Sequence, residues 1–212
     1  MTATAWLFLA AASALAAIGW IASWRRWRPI VVIGRPAAMA CLAGTGLWLL
    51  DVDRAPQAFF VAGVLVGGVG DLLLALPRHY FATGSVFFMI ARLLYGAGFV
   101  SSGVDAGATA LVLIVAVFIM LTVGRILLGQ VRRLRPRLFL GTGGYMLVTA
   151  LVVALGVGSG NPTAGLGVVL LALADVLLGW NRFVRALAGG HGSIHVVAHF
   201  AQAVIVLSLL SA

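Results

Sequence analysis

The stretch that decides the fold is ATAWLFLAAASALAAIGWIASW, residues 3–24, with Arg25-Arg26-Trp27-Arg28 directly behind it. As a helix rising 1.5 Å per residue it would extend about 33 Å, enough to cross a hydrocarbon core of about 30 Å. It has no basic segment ahead of it and is too long for the apolar part of a signal peptide. With three arginines following, it reads as an uncleaved first span whose N-terminus lies outside.

Comparable apolar runs, bounded by charge or by Gly and Pro, occupy residues 30–50, 58–77, 81–101, 106–128, 138–158, 162–180 and 194–211. Charged residues make up 9% of the chain and hydrophobic ones 63%, whereas a soluble domain carries roughly 25% charge. Lipid is therefore the solvent, and the predicted fold is an all-α membrane protein with eight transmembrane helices in one polytopic domain, residues 1–212.

The net charge of +9 comes from fourteen Arg and no Lys against five Asp and no Glu. In a chain this apolar, basic excess marks cytoplasmic loops and not a nucleic-acid partner. Avoidance of Lys and Glu beside abundant Ala, Gly, Val and Arg is expected of a GC-rich bacterial genome, hence of a bacterial plasma membrane. The lone Cys41 offers neither a disulfide framework nor a cysteine metal cluster. Lipid-facing and protein-facing helix surfaces are alike apolar, so the sequence carries no mark of oligomeric state.

Arginine placement tests the helix count independently of hydropathy. Odd connections hold Arg25, Arg26, Arg28, Arg78, Arg132, Arg133, Arg135, Arg137, Arg182 and Arg185, while even ones hold only Arg54, with Asp51, Asp53 and Asp105. One missed span would destroy this alternation. It places both termini outside and the basic loops in the cytoplasm. A short repeat also appears: Asp71-Leu-Leu-Leu-Ala-Leu-Pro-Arg78 closes the third span and Asp175-Val-Leu-Leu-Gly-Trp-Asn-Arg182 the seventh. Arg35-Pro36 and Arg135-Pro136 lead in the second and sixth, which suggests a 4+4 parallel repeat.

An aspartate at the middle of a span costs about 2.5–3.5 kcal/mol on insertion scales. Asp71 and Asp175 each lie seven residues before an edge arginine, roughly 10 Å inside it. Equal depth would let them face one cavity, where a protonated acid beside an ionised partner suits general acid/base hydrolysis. The alternative is that they pair with Arg92 or hold polar helix contacts together. Arg92 itself, eleven residues into the fourth span, would either neutralise a carboxylate or bind a phosphate.

His191, His195 and His199 recur at helical spacing. His195 and His199 could share a metal, but no Cys or Glu supports one. We read His191 as solvated loop and the other two as hydrogen-bonded interior, and expect neither metal nor cofactor. Tyr95, Tyr145 and Gln202 are polar groups inside apolar spans, facing either neighbouring helices or a ligand. Trp6, Trp20, Trp24, Trp27, Trp48 and Trp180 mostly fall near span ends, as an aromatic belt requires.

The chain resembles the lysoplasmalogenases, including the bacterial YhhN-like membrane proteins and their eukaryotic relatives. Gly70-Asp71-Leu-Leu-Leu, then Gly84, Phe88 and Tyr95, is similar to that family's Gly-Asp helix and the Gly, Phe, His, Tyr helix after it. Asp175-Val-Leu-Leu-Gly-Trp-Asn181-Arg182-Phe183 resembles its Ser-Asp segment ending in Asn-Arg-Phe. Arg35-Pro36 resembles an early Lys-Pro, and Ala201-Gln202 an Ala-Gln element. Arg92 stands where the family usually has His, and Ala174 where Ser usually precedes the second Asp.

The resemblance implies an eight-helix enzyme that cleaves the vinyl ether bond of a lysoplasmalogen to a fatty aldehyde and a glycerophospho-base. Asp71 and Asp175 would be its acid and base, in either order. Arg92, Tyr95, Tyr145, Asn181, His199 and Gln202 make up the expected substrate contacts, with a membrane lysophospholipid as partner. Two rivals use the same residues: a proton-coupled transporter built on the paired acids, and a zinc-dependent lipid amidase resembling alkaline ceramidases, using His195, His199 and one Asp.

Overall fold

The computed structural model describes residues 1–76, 80–187 and 189–211. Arg78 and the side chain of His191 lie outside the described residues. Among the described residues, eight helices are long and apolar enough to span a membrane: α1 (Ala3–Trp24), α2 (Arg28–Leu47), α3 (Arg54–Ala75), α4 (Phe81–Ser102), α5 (Ala106–Leu134), α6 (Phe139–Gly158), α7 (Pro162–Phe183) and α8 (Gly190–Leu207). No strand occurs among the described residues.

Helix ends explain part of the charge pattern. The odd-numbered helices begin on side-chain caps: Thr2, Asp53, Asp105 and Asn161 each accept from a backbone N–H of the first turn. Such caps satisfy donors the helix leaves open, and Asp at these sites complements the helix dipole. The even-numbered helices, which start at the Arg-rich end, have no side-chain cap. Asp53 and Asp105 are thus helix starters as well as loop charges.

Several bounds differ from expectation. Pro29 at the first turn starts α2 at Arg28, as its fixed φ allows. Arg35-Pro36 therefore lies inside α2, and the repeat loses that pair as a matched lead-in. α7 continues through Phe183 and α8 begins at Gly190. α5 runs on to Leu134 through a π turn at Met120–Gly124.

The helices close a ring: α1 packs on α2, α2 on α3, α3 on α4, α4 on α6, α6 on α7, α7 on α8, and α8 back on α1, with further contacts to α2 and α3. Met39, Leu42, Phe60, Val64, Phe99, Leu171 and Ile205 belong to its core. Glycines allow the close approaches that lipid-embedded helices rely on. A Cβ added to Gly70 would sit 3.2 Å from the Gly84 carbonyl, and one on Gly84 3.3 Å from that of Gly70. This α3–α4 contact fixes the residue after it, Asp71. α5 stands outside the ring against α6, and none of its residues from Ala106 to Ile119 is buried.

Candidate active site

Polar side chains gather in the half of the bundle nearer the Arg-rich connections. Asp71 is four residues from the end of α3, about 6 Å of helix, and Asp175 eight from the end of α7, about 12 Å. The equal depth inferred by counting to arginines does not match the helix ends, because α3 stops at Ala75 while α7 continues past Arg182. The two aspartates nevertheless line one small cavity. Arg92, His195, Gln202, Phe88, Leu74, Leu171 and Ile194 complete most of its wall. Its volume is about 20 Å³, room for roughly one water molecule.

Arg92 pairs with Asp175. Its Nε donates to Oδ2 at 3.2 Å and its Nη2 to Oδ1 at 2.9 Å, with Thr149 Oγ1 3.4 Å from Oδ2. The bidentate geometry matches the guanidinium fork to the carboxylate. Arg92 is buried and Asp175 largely so, with side-chain exposures of 4% and 11%. Of the two sequence readings of Arg92, neutralisation of a carboxylate is the one this geometry carries.

Asp71 is almost wholly buried. Its Oδ1 is 3.7 Å from His195 Nδ1, and its Oδ2 has no hydrogen-bond partner among the described residues. Behind His195 lies His199, whose Nδ1 is 2.7 Å from the His195 carbonyl and therefore donates to it. Trp20 Nε1 meets the same nitrogen at 3.4 Å. Arg35, absent from the expected site, is buried next to this group and donates to Ser23 Oγ at 2.8 Å. Its position seven residues into an apolar helix was the available signal. Among the described residues, no three metal-ligating side chains converge.

The remaining expected contacts separate. Gln202 lines the small cavity, and its Oε1 accepts from Tyr95 OH at 2.8 Å, so Tyr95 stands behind it in the core. Tyr145 faces a second, larger space. Asn181 lines neither: its side-chain carbonyl accepts from Leu187 N at 2.8 Å and ties down the α7–α8 connection.

The second space is a chamber of about 530 Å³ between α4, α5, α6 and α7, within the 300–1,000 Å³ usual for ligand sites. Its deep end is Ala116, Val153, Val169 and Leu173; Tyr145, Thr149 and Asp175 lie midway; Phe81, Arg137, Trp180 and Phe183 form the end nearest the Arg-rich connections. Phe88, Asp175 and Leu178 belong to both spaces. Asp175 is thus where an apolar chamber meets a water-sized polar cavity.

The YhhN family model matches residues 30–209. The chain belongs to the YhhN family. Two curated relatives are similar to this YhhN chain. Lysoplasmalogenase TMEM86B of Homo sapiens is 29% identical over 170 residues, 80% of this chain and 71% of the human protein. Lysoplasmalogenase TMEM86B of Sus scrofa is 32% identical over 160 residues, 76% of this chain and 66% of the pig protein. No solved structure matches the chain.

Proposed function

We propose that the protein is a membrane-embedded, lysoplasmalogenase-like hydrolase that cleaves the vinyl ether of a single-chain phospholipid. The carrying observation is that Asp175 borders both the apolar chamber and the cavity it shares with Asp71. A hydrolase of this kind needs a place for an alkenyl chain, two carboxyl groups and a water, and these spaces offer all of them. The names of the relatives supply the reaction class.

In this reading the chain lies in the chamber with its vinyl ether at the level of Asp175. Asp71, protonated and beside His195, gives its proton to the vinyl carbon distal to the ether oxygen. The ether oxygen shares the resulting positive charge as an oxocarbenium ion. Asp175, both of whose oxygens Arg92 holds, stands beside the developing cation and stabilises it. Water in the cavity then adds to the oxocarbenium carbon and passes a proton to a carboxylate, giving a hemiacetal. Proton transfer from the hemiacetal hydroxyl to the leaving oxygen, relayed by the same acids, releases aldehyde and alcohol. The sum is one vinyl ether and one water consumed, with the acids returned to their starting states.

The setting we propose is a bacterial plasma membrane with the Arg-rich connections in the cytoplasm. The test is purified protein in vesicles with a lysoplasmalogen. Aldehyde release that Asp71→Asn and Asp175→Asn each abolish supports the reading. Intact substrate with well-folded wild-type protein refutes it.

A further inference from the structure

The chamber lining contains one cation among the described residues, Arg137, and one anion, Asp175. Arg137 sits in the 3-10 turn Pro136–Leu138 just ahead of α6, is exposed, and has no acidic partner among the described residues. Phe81, Leu138, Trp180 and Phe183 line the same end. Arg182 stacks on one of them, Phe81, at 4.8 Å from the ring centroid.

Depth places Arg137 relative to the lipid. The uncharged run 106–124 of α5 ends at Arg125 after about 28 Å of helix, the thickness of a hydrocarbon core. Arg125 therefore marks the membrane edge. Just past it, Leu127 packs on Gly179 of α7, and Leu128 lies 4.0 Å from where a Gly143 side chain on α6 would begin. Asp175 lies four residues inward from Gly179, about 6 Å below the edge. Arg137 lies six residues outward from Gly143, about 9 Å above it, at the level of lipid headgroups. An arginine side chain reaching inward and a glycerophosphate reaching outward would together span that distance.

We infer that Arg137 binds the phosphate of the substrate lipid, with the alkenyl chain directed to the Val153–Val169 end and the vinyl ether held at Asp175. Arg92 is unavailable for this role because its fork is filled by Asp175. A guanidinium is suited to a phosphate through paired, charge-assisted hydrogen bonds, and among the described residues no other cation lines the chamber. The inference rests on the proposed hydrolase reading and adds the headgroup determinant to it.

The experiment compares a lysoplasmalogen with its phosphate-free counterpart, a 1-alkenylglycerol, in wild type, Arg137→Gln and Arg137→Lys. Arg137→Gln should raise KM for the phospholipid about ten-fold or more, the effect of losing one charge-assisted contact. Its kcat should stay within about two-fold, KM for the alkenylglycerol should be unchanged, and Arg137→Lys should recover part of the loss. An unchanged phospholipid KM in Arg137→Gln, or equal losses on both substrates, would overturn the assignment. Inhibition by inorganic phosphate that disappears in Arg137→Gln while the phospholipid KM stays unchanged would overturn it too, since the partner would then be a free anion. Aldehyde from neither substrate in wild type would instead refute the hydrolase reading itself.

Discussion

Arg92 on α4 and Asp175 on α7 form a buried two-point ion pair, Nε to Oδ2 at 3.2 Å and Nη2 to Oδ1 at 2.9 Å. Each makes the burial of the other tolerable. Removing one partner of such a pair costs about 3–5 kcal/mol, while replacing both with apolar groups can be nearly neutral. Arg92→Met should therefore lower the melting temperature in detergent markedly. Arg92→Met with Asp175→Leu should recover most of that loss yet release no aldehyde. A single variant that melts like wild type would deny the pair its structural role.

Asp71 makes a different prediction, because no bidentate partner holds it. Asp71→Asn keeps the shape and the contact with His195 but cannot give up a proton as an acid. Turnover should fall by about 10²–10⁴, the range for loss of a general acid, with little change in melting temperature. Retained turnover would move the proton donor elsewhere in the cavity.

Chain-length selectivity should respond to the deep end of the chamber. Val153→Trp adds a large ring where the end of the alkenyl chain would lie. KM should rise for long-chain lysoplasmalogens and hold for short-chain ones, giving a reversed preference in a mixed-chain competition assay. Equal effects at all lengths would place the chain outside this space.

Gly63 tests the packing behind the site. A Cβ there would stand 2.5 Å from Tyr95 Cε1, and Tyr95 is held in place by its bond to Gln202 and by Phe60 edge-on at 6.2 Å. Gly63→Ala should cost about 1–3 kcal/mol, as overpacking does, read as a lower melting temperature. A neutral effect would mean that the ring shifts freely.

Membrane orientation can be read with fusions. A C-terminal reporter that is active only outside the cytoplasm should be active, and one placed in the α5–α6 connection near Arg133 should be silent. The reverse pattern would invert the proposed topology.

Particular residues show how far the sequence could be read. The eight spans were visible because each must present an uninterrupted apolar length to lipid, and the placement of Arg54, Asp53 and Asp105 agreed with their count. Asp71, Asp175 and Arg92 stood out because charge inside an apolar run is costly. Arg35 escapes the sequence reading because it lies only five residues into a run that starts at residue 30. Asn181 was grouped with the site by its motif, although its carbonyl serves the Leu187 backbone.

By itself, the sequence determined that this chain is an eight-helix membrane protein with two acids and a deep arginine, since hydropathy and the cost of buried charge act along the chain. Tertiary structure alone decided that Arg92 belongs to Asp175, that Asp71 faces His195, and that α5 stands off to leave a chamber leading to Asp175. Those outcomes depend on which helix faces meet. Between helices that are apolar on every side, close backbone approaches such as Gly70 against Gly84 select the facing surfaces, and no periodicity in the chain records which ones they will be.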